Sequence, residues 1–366
     1  MTQTEFIVVG GGLVGVAIAY GLQRRNIPTL LLDESDNAFR AARGNFGLIW
    51  TQSKGTDLPA YAQWTWTSAQ GWADLSAELM AQTGARLAYH RPGGIEICLT
   101  AAEMEDKQKK MERLQTHADH IEFRMLERKA LGNMLPGLGP DVAGGCLSPG
   151  DGHVNPLMLL RALHVGFQTM GGKISSGAPV QRIDQTSSGF KVRTADQAYE
   201  SGRVVVAAGL GTPKLAEMIG LKIDVRPQRG QNLITERVKP FLSMPLSGIR
   251  QTDEGGVQLG ESNEEVGFDD SVTPATMADI AARAVKTFPH LQRARIVRAW
   301  GALRVMSPDG APIYAQSKTC PGAFAAVCHS GVTLAAAHAN VLAPAIAENQ
   351  LPASVAALGP ERFADV

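Results

Sequence analysis

The strongest constraint on the fold lies between residues 6 and 33. Phe6-Ile7-Val8-Val9 is a continuous apolar run, the pattern of a strand buried on both faces of a parallel sheet. It leads directly into Gly10-Gly11-Gly12-Leu13-Val14-Gly15, a G-x-G-x-x-G sequence. Val14, Ala17, Ile18, Gly21 and Leu22 then recur at helical spacing, and Thr29-Leu30-Leu31-Leu32 forms a second buried strand that closes on Asp33. Together they spell a βαβ unit with the makings of a dinucleotide site. Gly10 permits the tight turn, Gly12 admits backbone to a pyrophosphate, and Gly15 lets helix touch strand. The helix N-terminus faces the anion, and Asp33 suits a ribose hydroxyl. The competing reading is a glycine turn in an unliganded α/β domain. Flanking strands and the closing acid favour the dinucleotide without separating a flavin from a nicotinamide.

The 366 residues predict two compact units, or one large fold with an insertion. With 35 Lys and Arg against 35 Asp and Glu, no net positive field draws the chain to nucleic acid or to an anionic membrane. Cys98, Cys146, Cys320 and Cys328 contain no C-x-x-C pair, so they read as small buried hydrophobes rather than disulfides or metal ligands. His117 and His120, the one short-spaced histidine pair, sit in a charged helical stretch that reads as a solvated face, so no metal is implied. The apolar run to Ala19 imitates a leader peptide, yet Glu5 precedes it, no basic segment opens it and glycines break it. The expectation is a cytoplasmic protein with no nucleic-acid partner and no membrane insertion.

Ala42-Arg43-Gly44-Asn45-Phe46-Gly47 is a small-residue loop where a nicotinamide domain would already have entered its next helix. Such a loop can lie along an extended diphosphate, which favours FAD; an ordinary exposed loop is the alternative. Residues 57–84 predict a helix with Trp64, Trp66, Trp72, Leu75 and Leu79 in the core. Gly93 to Leu99 reads as strand, Lys107 to Leu114 as charged helix, and a Pro/Gly-rich loop follows. Asp151 to Pro156 caps another helix with Leu157, Leu160 and Leu163 expected inward, and Gly171-Gly172 ends it. Val204 to Gly209 is a second buried strand ending in small residues, able to approach the cofactor from the same sheet. Val225 to Leu259 reads as β, and Thr276 to Phe288 as helix. The predicted class is α/β with an α+β second domain. A Rossmann-like FAD-binding domain is assembled from 1–84, 150–222 and 301–366, and a mixed or antiparallel-sheet substrate domain from 85–149 and 223–300.

The Gly10–Gly15 turn with Asp33, Arg43-Gly44-Asn45, Asp151 to Pro156 and Ala207-Ala208-Gly209 fall in one order along the chain. Leu303-Arg304 with Pro308-Asp309-Gly310-Ala311-Pro312, and then His329-Ser330-Gly331-Val332-Thr333, continue it. In these six segments the sequence resembles the FAD-dependent amino-acid oxidases of the DAO superfamily, which include glycine oxidase and the sarcosine oxidases. Arg43 to Trp50 and Pro227 to Gln231 look most like the flavin subunits of bacterial heteromeric enzymes such as opine oxidase, hydroxyproline dehydrogenase and hydrogen cyanide synthase.

The resemblance implies FAD held by Gly10, Gly12, Leu13, Val14 and Gly15, by Asp33 and Glu34, and by Arg43, Gly44, Asn45, Gly47 and Leu48. It extends the cofactor site to Val180, Ala208, Gly209 and Arg304, and to Ser330, Gly331, Val332 and Thr333. A helix start after Thr333 would aim backbone N–H groups at the flavin edge where negative charge grows on reduction, a loop without flavin contact being the alternative. The implied activity is oxidation of an amino-acid C–N bond by hydride transfer to flavin N5, the protein supplying orientation and electrostatics.

Arg304 matches the family's arginine that grips the substrate carboxylate with a planar two-pronged guanidinium; an arginine tied to a structural acid is the alternative. This sequence reads Ala302-Leu303-Arg304-Val305 where the family reads Gly-Leu-Arg-Pro, which loosens the backbone constraint after the arginine. His329 joins Arg304 as a catalytic candidate in a flavin-adjacent role, since hydride transfer needs no base. Glu261 and Ser262 are candidates for the substrate side, with surface placement equally open. Lys54 and Gln52 are candidates for the flavin face, and Arg229 and Arg250 for a second carboxylate. In some sarcosine oxidases a lysine promotes reaction with oxygen, and the matching stretch here, Leu259 to Phe268, contains none. Electrons are therefore expected to leave through a partner subunit with further redox centres. The remaining readings are a glycine- or sarcosine-type oxidase using oxygen directly, a nicotinamide dehydrogenase, and a noncatalytic flavin subunit.

Overall fold

Side chains in the opening strand alternate between two apolar layers, which is why Phe6 to Val9 has no polar member. Phe6 and Val8 enter one core cluster, Ile7 and Val9 another on the opposite face of the sheet. The computed structural model, which describes residues 2–35 and 41–364, places this strand, Thr2–Val9, inside a sheet of eight strands among the described residues. It runs parallel to Thr29–Asp33 on one side and to Ala198–Val206 on the other. Lys173–Ser176 and Ala323–Val327 extend the parallel set outward, and Ile313–Gln316 closes one edge antiparallel. A hairpin of Arg182–Thr186 and Gly189–Arg193 covers the first half of Ala198–Val206.

Helix Leu13–Gln23 is buried along nearly its whole length against this sheet. Helix Pro59–Thr83 buries Trp64, Trp72, Leu75 and Leu79 as expected, whereas Trp66 is only partly buried and lies with its ring 5.0 Å from that of His120. Helix Pro156–Thr169 begins at Asn155, whose side chain accepts hydrogen bonds from the Leu157 and Met158 N–H groups. Leucines three residues apart drift around a helix of 3.6 residues per turn, and Leu157 falls outward, at 52% exposure, against expectation. Leu159, Leu163 and Phe167 form the inner stripe instead. Cys98 and Cys146 are buried, but Cys320 and Cys328 are only partly so.

The second sheet is antiparallel. Arg226–Arg237 pairs with Ile296–Met306 along almost its full length and with Gly256–Leu259 on its other side, beyond which lies Ile249–Gln251. A bridge between Leu246 and Ile95 joins it to Gly94–Cys98, Gly144–Ser148 and Arg124–Glu127. Helix Pro274–Thr287 helps cover a third core that includes Ile95, Leu131, Leu233, Val257, Ile280 and Phe288. Ile296–Met306 runs across residue 301 and stays in the ladder through the Met306–Arg226 pair. Among the described residues, no helix is long and apolar enough to cross a membrane.

Beneath the last strands, Trp64 Nε1 donates to the Tyr314 hydroxyl at 2.8 Å, and that hydroxyl meets His338 Nε2 at 2.7 Å, all three fully buried. Burial pushes the His338 imidazole down to about 3, so it stays neutral in the folded protein. An unfolded histidine titrates near 6.5. The folded state therefore gains from this neutral group above that value and loses about 1.4 kcal/mol per pH unit as acidification proceeds below it. Urea unfolding should show stability falling between pH 7 and pH 5, with a shallower slope in His338→Gln.

Candidate active site

Three chain segments meet at the C-terminal ends of the parallel strands. Gly10 turns at φ 109°, and a Cβ there would strike the Ala207 carbonyl that follows the neighbouring strand. A Cβ at Gly15 would collide with the Gly10 carbonyl, whereas one at Gly12 would meet nothing within 4 Å and would point into open space. Asp33 accepts from the Gly11 N–H at 2.7 Å and from the Ser35 N–H at 2.8 Å, which fixes its carboxylate at the end of the second strand. Gly10, Gly12, Leu13, Val14, Asp33, Glu34, Asn45, Val180, Ala208, Gly209 and Gly331 all line one groove. Lys214, on Thr212–Glu217, lines it too; a lone lysine after a strand carries no signal in the sequence.

The groove opens into a second cavity through Ala41, Asn45 and His329, which line both. Gly44, Leu48, Ser330, Val332 and Thr333 face this cavity together with Arg304 and Glu261. Gly15 and Gly47 serve the backbone instead: Gly15 packs helix on strand, and Gly47, at φ 88°, faces the Val154 carbonyl. Arg43 is exposed on the short helix Ala41–Gly44, while Gly44 packs on Ala302. The loop His329–Thr333 is followed by turns, and regular helix begins at Ala335, a little later than expected.

Arg304 owes its position to the strand ladder, where Gln228 is its partner and Gly230 lies nearby. A Cβ at Gly230 would come within 2.6 Å of both terminal nitrogens of Arg304, so glycine leaves the space in which the guanidinium lies. The side chain donates to the Ser262 carbonyl at 2.7 Å and to Glu261 Oε2 at 2.9 Å. Val305, where the family has proline, continues the ladder opposite Pro227, and the strand remains regular past the arginine. Ser262 turns its hydroxyl away, giving a hydrogen bond to Glu264 at 2.6 Å and taking one from the Gln231 N–H. Arg229 is held by Glu264 and Asp269, and buried Arg250 donates to the Val154 carbonyl and Gln258, so neither faces the cavity.

Lys54 does face it, alongside Arg304. Its Nζ lies 3.0 Å from His329 Nε2, and both line the cavity. Lys54 stands on a turn with positive φ at Ser53 and Gly55, and Asp151 clamps the base of that turn. The Asp151 carboxylate accepts from the Thr51 N–H and hydroxyl at 2.5 and 2.7 Å and from Gln52 Nε2 at 2.7 Å. Burial still pushes its carboxyl up to about 6 against those bonds. Burial lowers Lys54, with Glu261 opposing the shift, and holds His329 well below the usual histidine range, with Lys54 and Arg304 adding to the effect. Gln52 is engaged by Asp151 and the Gly94 carbonyl.

A glycine-lined groove with an acid at its end, opening into a cationic cavity, defines a dinucleotide-dependent oxidoreductase. The chain belongs to the DAO family of FAD dependent oxidoreductases, whose model matches residues 5–345. It is 40% identical over 365 residues to an opine oxidase subunit of Rhizobium meliloti, covering 99% of this chain and 98% of that one. It is 38% identical to the corresponding opine oxidase subunit of Agrobacterium tumefaciens at the same coverage. Glycine oxidase from Geobacillus kaustophilus superposes with a TM-score of 0.87 at 23% identity, over 98% of each chain. FAD is the dinucleotide, and the groove fits it: an open face at Gly12, a fixed acid at Asp33 and a connected second chamber for the ring system.

The glycines make separable predictions. Gly12→Ala should leave thermal stability without cofactor within about 0.5 kcal/mol while reducing bound FAD, because its methyl group enters only the groove. Gly15→Ala should lower stability by about 1–3 kcal/mol even without cofactor, because its methyl group meets backbone. Thermal melts and flavin absorbance after reconstitution distinguish the two.

Proposed function

We propose that this chain oxidises the C–N bond of an amino acid or N-substituted amino acid of opine or imino-acid type and passes the electrons to a partner subunit. The observation that carries the reading is the Arg304 guanidinium beside Gly230, facing a cavity continuous with the dinucleotide groove. When bound, FAD supplies the two-electron hydride acceptor at N5 of its ring. We assign the holding of that cofactor to the parallel sheet, to the loop of Gly44 and Asn45 and to Ser330–Thr333, and the substrate side to the antiparallel sheet. Arg304 takes the substrate carboxylate by displacing Glu261, whose half-exposed side chain is free to swing away. That contact fixes which Cα–H faces the ring. Trp50, Phe46 and Leu48 give the cavity an apolar side that limits water.

Size supports an extended substrate. Glu261 and Ser247 also line a neighbouring cavity of about 540 Å³ that carries Lys107, Lys110 and Arg283. An N-substituent has room there, beside a mixed lining in which Glu96 holds Lys107 and Glu103 holds Arg283. The acceptor rests on different ground. Absence of lysine from Leu259 to Phe268 does not argue against oxygen, because Lys54 reaches the cavity from elsewhere in the chain. What supports a partner is that both opine oxidase relatives are named as subunits. A noncatalytic flavin protein would have no use for a cation facing this cavity.

Anaerobic bleaching of the flavin by a panel of glycine, sarcosine, proline isomers and opines tests the substrate class. Opines or imino acids should bleach it, and steady turnover with oxygen should fall well below turnover with an artificial acceptor. Failure of the whole panel, with and without co-purified subunits, would overturn the reading. Arg304→Ala should weaken substrate binding by roughly 10- to 100-fold, the loss of a charge-assisted pair, while bound flavin stays unchanged. Loss of flavin instead would make Arg304 structural.

A further inference from the structure

We propose that Lys54 and His329 form a proton-accepting pair that takes the ammonium proton of the bound amino acid, leaving the amine neutral for oxidation. The inference rests on the amino-acid reading above and adds residues to it. Amino acids arrive as zwitterions, and an ammonium nitrogen has no lone pair to assist departure of the Cα hydride. Somewhere in the closed site one proton must go.

The geometry supplies an acceptor. Tyr61 OH, Ser330 Oγ, His329 Nε2 and Lys54 Nζ form a continuous chain, with steps of 2.7, 3.2 and 3.0 Å. In the neutral tautomer with its hydrogen on Nδ1, the imidazole presents Nε2 as an acceptor and Lys54 donates to it. An amine donating one N–H in this way keeps its lone pair for the cavity it shares with Arg304. In the transfer, the substrate N–H bond breaks and an N–H bond forms at Lys54 Nζ. One positive charge moves from ligand to pair, and the substrate keeps the electrons of its lone pair.

The surroundings suit both states. Burial disfavours a charge on Lys54 in the empty cavity, as does Arg304, while Glu261, Asp151 and Cys328 act in the opposite direction. His329 feels Lys54 and Arg304. Tyr61 is held protonated by burial and keeps its hydroxyl hydrogen for the chain. A substrate carboxylate on Arg304 takes the place that Glu261 holds, so a negative charge stays beside the guanidinium while the substrate ammonium delivers its proton to Lys54.

Two ligands read this without turnover. On the flavin-loaded protein, 2-aminoisobutyrate has the ammonium and carboxylate but no Cα hydrogen, and pivalate has the carboxylate alone. Dissociation constants from flavin absorbance between pH 5 and pH 9 should slope in opposite directions. Below the pair's own titration the 2-aminoisobutyrate constant should rise up to tenfold per unit, because the pair already holds its proton. The pivalate constant should fall as the pH drops toward that titration from above, because the pair becomes a cation, and level off below it. Lys54→Met should flatten both slopes. Lys54→Arg, a charge that does not titrate, should bind pivalate tightly and 2-aminoisobutyrate weakly at every pH. Slopes that persist in Lys54→Met, or full recovery by Lys54→Arg, would overturn the pair alone. Binding of neither ligand to the unmodified protein would overturn the amino-acid reading and this inference with it.

Discussion

The ladder between Arg226–Arg237 and Ile296–Met306 carries the site. Side chains along a strand alternate, and Arg304 and Val305 use that alternation to serve different rooms: Arg304 faces the cationic cavity, Val305 lines the dinucleotide groove. A slip of one residue would exchange them. The register is pinned by the Gly230 gap that only a guanidinium alongside explains, and by burial of Leu303 and Val305 in the apolar layers. One strand thus ties the dinucleotide groove to the neighbouring cavity with no hinge between adjacent residues. Val305 in place of proline adds a backbone hydrogen-bond donor there.

Much of the dinucleotide groove is readable along the chain, because it is built from local signals. Phe6 to Asp33 contains strand, turn, helix and acid in order, and Val204 to Gly209 ends in the small residues that its approach to Gly10 demands. The neighbouring cavity resists such reading. Lys54 and His329 are 275 residues apart and meet only because two loops converge. Gly230 has meaning only once Arg304 lies beside it. Arg229 and Arg250 are reasonable partners for a carboxylate by type alone, and the fold commits both to its own loops and strands. Leu157 departs from expectation for a simpler reason: leucines at i, i+3 and i+6 drift around a helix of 3.6 residues per turn, so the three cannot share one face.

Polar burial recurs near the cavity in a consistent form. Asp151 is enclosed yet receives hydrogen bonds from Thr51 and Gln52, and His338 is enclosed but neutral. An enclosed polar group left without partners costs about 1–3 kcal/mol, so each such network is a commitment to one local geometry. At Asp151 the commitment holds the turn that presents Lys54. The rigidity of that turn therefore comes from a residue that never faces the cavity.

The contact between Arg304 and Glu261 also shapes how the molecule is seen from a distance. With its own carboxylate against the guanidinium, the resting cavity presents a near-cancelled dipole at Arg304 instead of a bare cation, and its field dies away within a screening length of about 8 Å in physiological salt. Small cellular anions consequently meet little pull toward the entrance. An anion reaching the guanidinium must first part it from Glu261, so negative charge alone gains little there.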